Sequence, residues 1–402
     1  MTAEAGSSPE IDWDWLRERM LACPWSAQAR DAGIWAIDVL QAELGPRWPK
    51  AWHGPGAAPP EIAKCWFLLS AYAYTLDLAL GFALLRDRPG IAGLRSAIKQ
   101  TSRDDALSSP RLQLRLASLA LSEGYTVDLE PRLADGKSPA DLLIATDQIR
   151  IGAEVFAQLR DEKTLAASEW MDGISDELRE IGNAYKVDFR GAVEGALSRD
   201  ETTELLEELR SRAPLAARGF EFPDVAIGEV SVAVVPPAGL GGERTFQMPH
   251  VAFDRRLKNR LRAKAGQTRR SRADWLVIDS LDHLWHMTGW AQQSLAAKAH
   301  ALTCIFREAL GGEEHLRGVV ISDGAALMRG EVDEETLLLD RGVVARRRRI
   351  DWWRARESVV VPLGDSGLAA AEAWGLILDA ESGWLVRALV RQAIALPPEL
   401  TE

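Results

Sequence analysis

Two carboxylates on neighbouring apolar runs are the side chains best placed to do chemistry. Asp141 opens the run ADLLIA, and Glu154 sits late in IRIGAEVFAQL, with the Thr146-Asp147-Gln148 turn between them. Short apolar runs joined by a polar turn read as paired strands. Such a hairpin brings both acids to one edge of a sheet. Paired carboxylate oxygens suit a hard divalent cation, Mg²⁺ or Mn²⁺. An Asp at a strand start also serves as a turn residue. A Glu inside a buried strand is harder to place without a partner, because burying a lone carboxylate is costly.

The hairpin needs elements to hold it. Upstream, RLQLRLASLALSEGY puts Leu112, Leu116, Leu119 and Ala120 on one helical face, and Gly124 ends the helix. TVDLEP then reads as a strand and RLADGKSP as a polar loop. The run Arg111–Leu159 is therefore a helix followed by three strands.

This arrangement resembles the core of the PD-(D/E)xK, or restriction-endonuclease-like, superfamily, in which a helix precedes a hairpin carrying an Asp and then a (Asp/Glu)-x-Lys element. Asp141 in SPADLLI matches the first acid and Glu154 in GAEVF the second. Phe156 stands where the family lysine is expected, and Gln113 where many members carry an acid on the leading helix. The resemblance implies Mg²⁺- or Mn²⁺-dependent phosphodiester cleavage, with Asp141 and Glu154 as metal ligands. Such enzymes belong to repair, restriction or defence systems. A lysine beside the attacked phosphate lowers the cost of developing negative charge, and a neighbouring element can supply it. Lys264 in LRAKAGQ is the candidate substitute, sharing a helical face with Gln267. Gln158 is a second polar candidate. The alternative is a surface lysine on a basic helix.

Nine basic residues and no acid lie between Arg255 and Arg272: Arg255, Arg256, Lys258, Arg260, Arg262, Lys264, Arg269, Arg270 and Arg272. In a chain of net charge −11 this asymmetry suits a phosphate backbone, DNA favoured; a solvated helix is the alternative. Arg346–Arg349, beside Trp352 and Trp353, form a second basic run that suits either a single strand or an internal contact. Asp279, Asp282, His283 and His286 in DSLDHLWHM make a rival transition-metal set, or a loop of polar caps. No Walker A, GxSxG, HExxH or strand-following GxGxxG occurs.

At 402 residues, 47% of them apolar, the chain has room for two or three domains. Three scattered cysteines (Cys23, Cys65, Cys304) build neither a disulfide framework nor a zinc knuckle, which suits a reducing cytoplasm. No signal peptide opens the chain. Cys65–Leu85 is apolar enough to raise the membrane question, but Asp77 near its middle favours a buried helix. The expected fold is α/β, a restriction-endonuclease-like mixed sheet flanked by helices with an N-terminal all-helical domain. Its expected divisions are 1–104 helical, 105–325 α/β, and 326–402 a C-terminal extension packing on the core. The expected function is nucleic-acid binding with metal-dependent cleavage; the alternative is an inactive nuclease fold serving as a structural or partner-binding subunit. Besides nucleic acid, a homo-oligomer or a protein partner is a candidate association.

Overall fold

In the computed structural model, the residues described are 11–48, 61–100, 104–157, 162–237, 244–247, 253–280, 293–323, 333–351 and 354–401. Polar residues start the first two helices by accepting otherwise unpaired backbone N–H groups. Asp12 accepts from Trp15 at 2.8 Å to open α1 (Trp13–Ala22), and Ser26 accepts from Ala29 at 3.1 Å to open α2 (Ala27–Leu44). Three more helices follow: α3 (Leu69–Leu85), α4 (Ile91–Gln100) and α5 (Asp104–Ser122). The apolar run that raised the membrane question is α3, preceded by a short turn at Glu61–Lys64. Its Asp77 is buried, accepts the Trp384 indole N–H at 3.0 Å and faces Arg115 at 3.7 Å. An acid bound in this way belongs to a protein core, and no helix among the described residues is long and apolar enough to cross a membrane.

Strands β1 (Thr126–Leu129), β2 (Leu142–Ala145) and β3 (Arg150–Ala157) form an antiparallel meander. After an insertion, the chain returns through α8 (Phe253–Ser271) to β8 (Trp275–Ser280), which lies parallel to β3 with Glu154 opposite Leu276. Helix α9 (Leu295–Leu310) leads to β9 (Gly318–Asp323), again parallel. Three antiparallel strands, β10 (Glu335–Leu339), β11 (Val343–Asp351) and β12 (Arg354–Pro362), complete a mixed eight-stranded sheet in the order β1-β2-β3-β8-β9-β12-β11-β10. Helices α10 (Leu368–Asp379) and α11 (Trp384–Arg391) end the chain. Trp275 of β8 meets Trp374 of α10 with centroids 6.2 Å apart, so α10 covers the sheet face opposite Glu154. This is an α/β sheet flanked by helices.

The compact units follow other lines than a division at 104 and 325. One unit comprises Met1–Gln158 with Asp254–Glu402, the other Leu159–Phe253. The reason is a shared core: Leu76 and Leu80 of α3, Val127 and Ile144 of the meander, Val277, Val360 and Trp374 belong to one buried apolar cluster. The C-terminal segment is likewise part of the sheet, supplying β10–β12 at its edge. Its arginine run is spent internally. Arg346 and Arg348 each reach Asp379 at 3.3 Å, and Arg347 pairs with Glu357 at 2.6 Å. Trp352 and Trp353 lie outside the described residues.

Glu357 also takes Lys298 of α9 at 2.8 Å, and both are buried. Burial opposes its ionisation, but Lys298 and Arg347 together outweigh that and hold its carboxyl below the usual range. Removing one member of a buried ion pair strands the other charge. Glu357→Gln is therefore expected to lower unfolding free energy by about 3–5 kcal/mol, read from the urea midpoint at constant slope.

The inserted unit has its own sheet, ordered β5-β6-β4-β7 from β4 (Asp188–Val193), β5 (Val225–Ile227), β6 (Val230–Val235) and β7 (Arg244–Gln247). Helices α6 (Glu162–Tyr185) and α7 (Arg199–Ala216) share its core with Phe189, Val193, Val230 and Val232. The run Val225–Val235 reads as one strand, but Gly228 adopts φ +52° and turns it into the β5–β6 hairpin.

Candidate metal and phosphate site

Asp141 sits just before β2, where three contacts fix its backbone, the first being its own N–H donating to the Ala153 carbonyl at 3.2 Å. The Glu130 N–H donates to its carbonyl at 3.1 Å, and the Gln113 amide of α5 donates to the same oxygen. Its side chain accepts the Val155 N–H at 2.8 Å, so the carboxylate lies along β3. Strand alternation puts Glu154 and Phe156 on one face of β3. Glu154 is fully buried: Oε2 accepts from the Gln267 amide of α8, while Oε1 has no hydrogen-bond partner among the described residues. A buried carboxylate oxygen without a donor is unusual and costly.

Helix α8 faces these acids because its sequence carries two adjacent stripes. Leu257, Leu261, Ala265 and Thr268 are buried at helical spacing. Beside them, Arg260, Lys264 and Gln267 occupy a second face. Lys264 Nζ donates to Gln267 Oε1 at 2.8 Å, so Gln267 links the lysine to Glu154. The ammonium also lies 5.4 Å from the centre of the Phe156 ring, and the Arg260 guanidinium lies 5.7 Å from it. Phe156 thus carries two cations from the helix above it.

The electrostatics follow from burial and proximity. Burial, and then the Asp141 charge, push the Glu154 carboxyl up to about 7. Asp141 is also raised, by burial first, with the Val155 N–H and Lys264 acting against the shift. Lys264 is lowered by burial; the two carboxylates partly restore it and Arg260 adds to the depression. The arrangement is a pair of acids whose ionisation burial and mutual charge both oppose, with a cation one amide away.

The candidate residues divide as follows. Asp141, Glu154 and Lys264 come together, joined by Gln267, which spacing alone placed only on the lysine's face. Gln113 holds the backbone carbonyl of Asp141, which makes it a positioning residue. Gln158 lies outside the described residues. Of the basic stretch, Lys258 pairs with Glu308 and Arg269 with Glu313. Arg255, Arg262, Arg270 and Arg272 are exposed, and Arg256 is half-buried. The Arg260–Phe156 contact had no signal beyond four-residue spacing from Lys264. Asp279 of the rival set points to the opposite sheet face, where Arg356 reaches it at 3.3 Å. Asp282, His283 and His286 lie outside the described residues. Among the described residues no group of three or more His, Cys, Asp or Glu is placed to hold a metal. Two carboxylates remain, which is a sufficient protein share for Mg²⁺ when waters and substrate phosphate oxygens complete its shell.

Compared with known proteins, the chain matches no family model, no curated protein and no solved structure.

Proposed function

We propose that this chain is a nucleic-acid-binding protein whose restriction-endonuclease-like core cleaves phosphodiesters with Mg²⁺ or Mn²⁺. The observation carrying this reading is the buried Glu154, whose Oε1 has no hydrogen-bond partner among the described residues, beside the second carboxylate of Asp141. A cation would supply the partner that Oε1 lacks among the described residues. Asp141 and Glu154 would hold it, and when bound it would supply an activated water and charge neutralisation at the phosphate. Lys264 contributes a positive charge near the attacked phosphate, where the anion grows in the transition state. Gln267 orients that ammonium and Glu154 together, and Gln113 sets the height of Asp141 against β3. A helix leading into the meander that carries both acids supports this reading.

Charge separates the two units. Leu159–Phe253 holds eighteen acidic and ten basic residues, net −8 of the chain's −11. Like charge repels a polyanion, so nucleic acid is assigned to the unit that carries α8. DNA is the favoured substrate.

The second reading, an inactive nuclease fold used as a scaffold, is favoured by Phe156 at the lysine position. The two separate in one experiment: cleavage of plasmid and single-stranded DNA in Mg²⁺ and in Mn²⁺, wild type beside Glu154→Ala. Cutting by wild type that disappears in the variant supports the live site. DNA binding without cutting by either protein overturns it in favour of the scaffold.

A further inference from the structure

Arg260 is the oddest charge in the site. It is exposed, it sits on the same Phe156 ring as Lys264, and no carboxylate pairs with it among the described residues. Lys264, by contrast, has Gln267 and the two acids of the site. Two cations one helical turn apart repel, and here they also share one ring. An anion lying between or beside them relieves that repulsion. The offset of four residues, about 6 Å along the axis, is on the scale of one nucleotide step along a strand.

Resting on the nuclease reading above, we propose that Arg260 grips the phosphate next to the one being cleaved. The substrate is then a polynucleotide strand carrying at least two consecutive phosphates, and Phe156 is the platform that holds both cations in register. The aromatic residue at the lysine position becomes part of the recognition apparatus. A guanidinium suits the task, since its planar fork meets phosphate oxygens in pairs. A small diester or a mononucleotide ester lacks the neighbouring phosphate and forfeits this contact. The grip concerns the backbone alone, so it treats deoxyribose and ribose strands alike.

The test compares a thymidine dinucleotide, with one phosphate, and a trinucleotide, with two, using the full chain in Mg²⁺. Wild type is expected to favour the trinucleotide by about tenfold in kcat/KM, mainly through KM. Arg260→Ala is expected to bring that ratio near one, and Arg260→Lys to keep part of it. A ratio unchanged in Arg260→Ala would mean that the arginine acts only through Lys264 or the fold, which overturns the proposal. If neither protein cuts either substrate, the nuclease reading fails and binding decides the grip separately. Anisotropy of labelled oligothymidylate against salt, without metal, is then expected to lose about 0.7 of its log–log slope in Arg260→Ala. An identical slope in both proteins overturns the grip as well.

Discussion

Lys264→Ala is expected to lower the rate of DNA cleavage by about 10²–10⁴-fold, and Phe156→Lys in the same chain to recover a substantial part of the loss. The argument is positional. Lys264 Nζ lies 5.4 Å from the Phe156 ring centre and bonds Gln267, which in turn bonds Glu154. A lysine at 156 starts from the strand position two residues after Glu154, and its stem can cover apolar surface while the ammonium reaches the polar edge. The two routes deliver a charge to one region from opposite sides, so the double variant should beat the single one. Phe156→Lys alone should gain nothing, because it sets a second ammonium beside Lys264 and removes the ring under Arg260. Far-UV circular dichroism and melting curves for each variant separate lost chemistry from lost fold. Cleavage by Lys264→Ala within threefold of wild type would remove the lysine from the mechanism.

Parts of this arrangement were readable in the chain itself. The alternating runs around Thr146–Gln148 predict the β2–β3 hairpin, and the hairpin alone brings Asp141 and Glu154 together. The spacing of Lys264 and Gln267 predicts a common helix face. Their arrival at Glu154 does not follow from spacing, because Leu159–Phe253 intervenes and forms a unit of its own. Arg260 reads as one of nine basic residues until Phe156 is seen beneath it. The edge strands failed for a different reason. In VVARRRRID the charge run hides the strand alternation, and the acids that neutralise it, Glu357 and Asp379, come from β12 and α10. Gln113 illustrates the same limit: its position was legible, but its bond to the Asp141 carbonyl depends on how α5 lies across the hairpin.

The second large effect is on stability and has an unusual sign. Glu154→Gln is expected to stabilise the metal-free protein at pH 8 by about 1–3 kcal/mol, a rise of roughly 2–5 °C in melting temperature. Burial first, and Asp141 second, raise the Glu154 carboxyl from its ordinary 4.5 to about 7. A raised acid binds its proton more tightly folded than unfolded. Folded protein therefore becomes less stable as pH climbs from 4.5 to 7, and above 7 the full cost of an ionised, buried carboxylate with one oxygen unpartnered among the described residues is in place. Glutamine keeps an acceptor for the Gln267 amide and carries no charge, so it removes that cost above pH 7. Below pH 4.5 wild type is protonated in both states, and the two proteins should melt together. Metal reverses the order: Mg²⁺ at a hundred times its dissociation constant adds about 2.7 kcal/mol to wild type, while the variant, with one ligand neutralised, should respond little. Melting both proteins at pH 4.5 and pH 8, with and without Mg²⁺, reads all four corners. A variant less stable than wild type at pH 8 without metal would show that Glu154 is a structural acid. A carboxylate that costs stability until a cation arrives is what a site kept for function predicts.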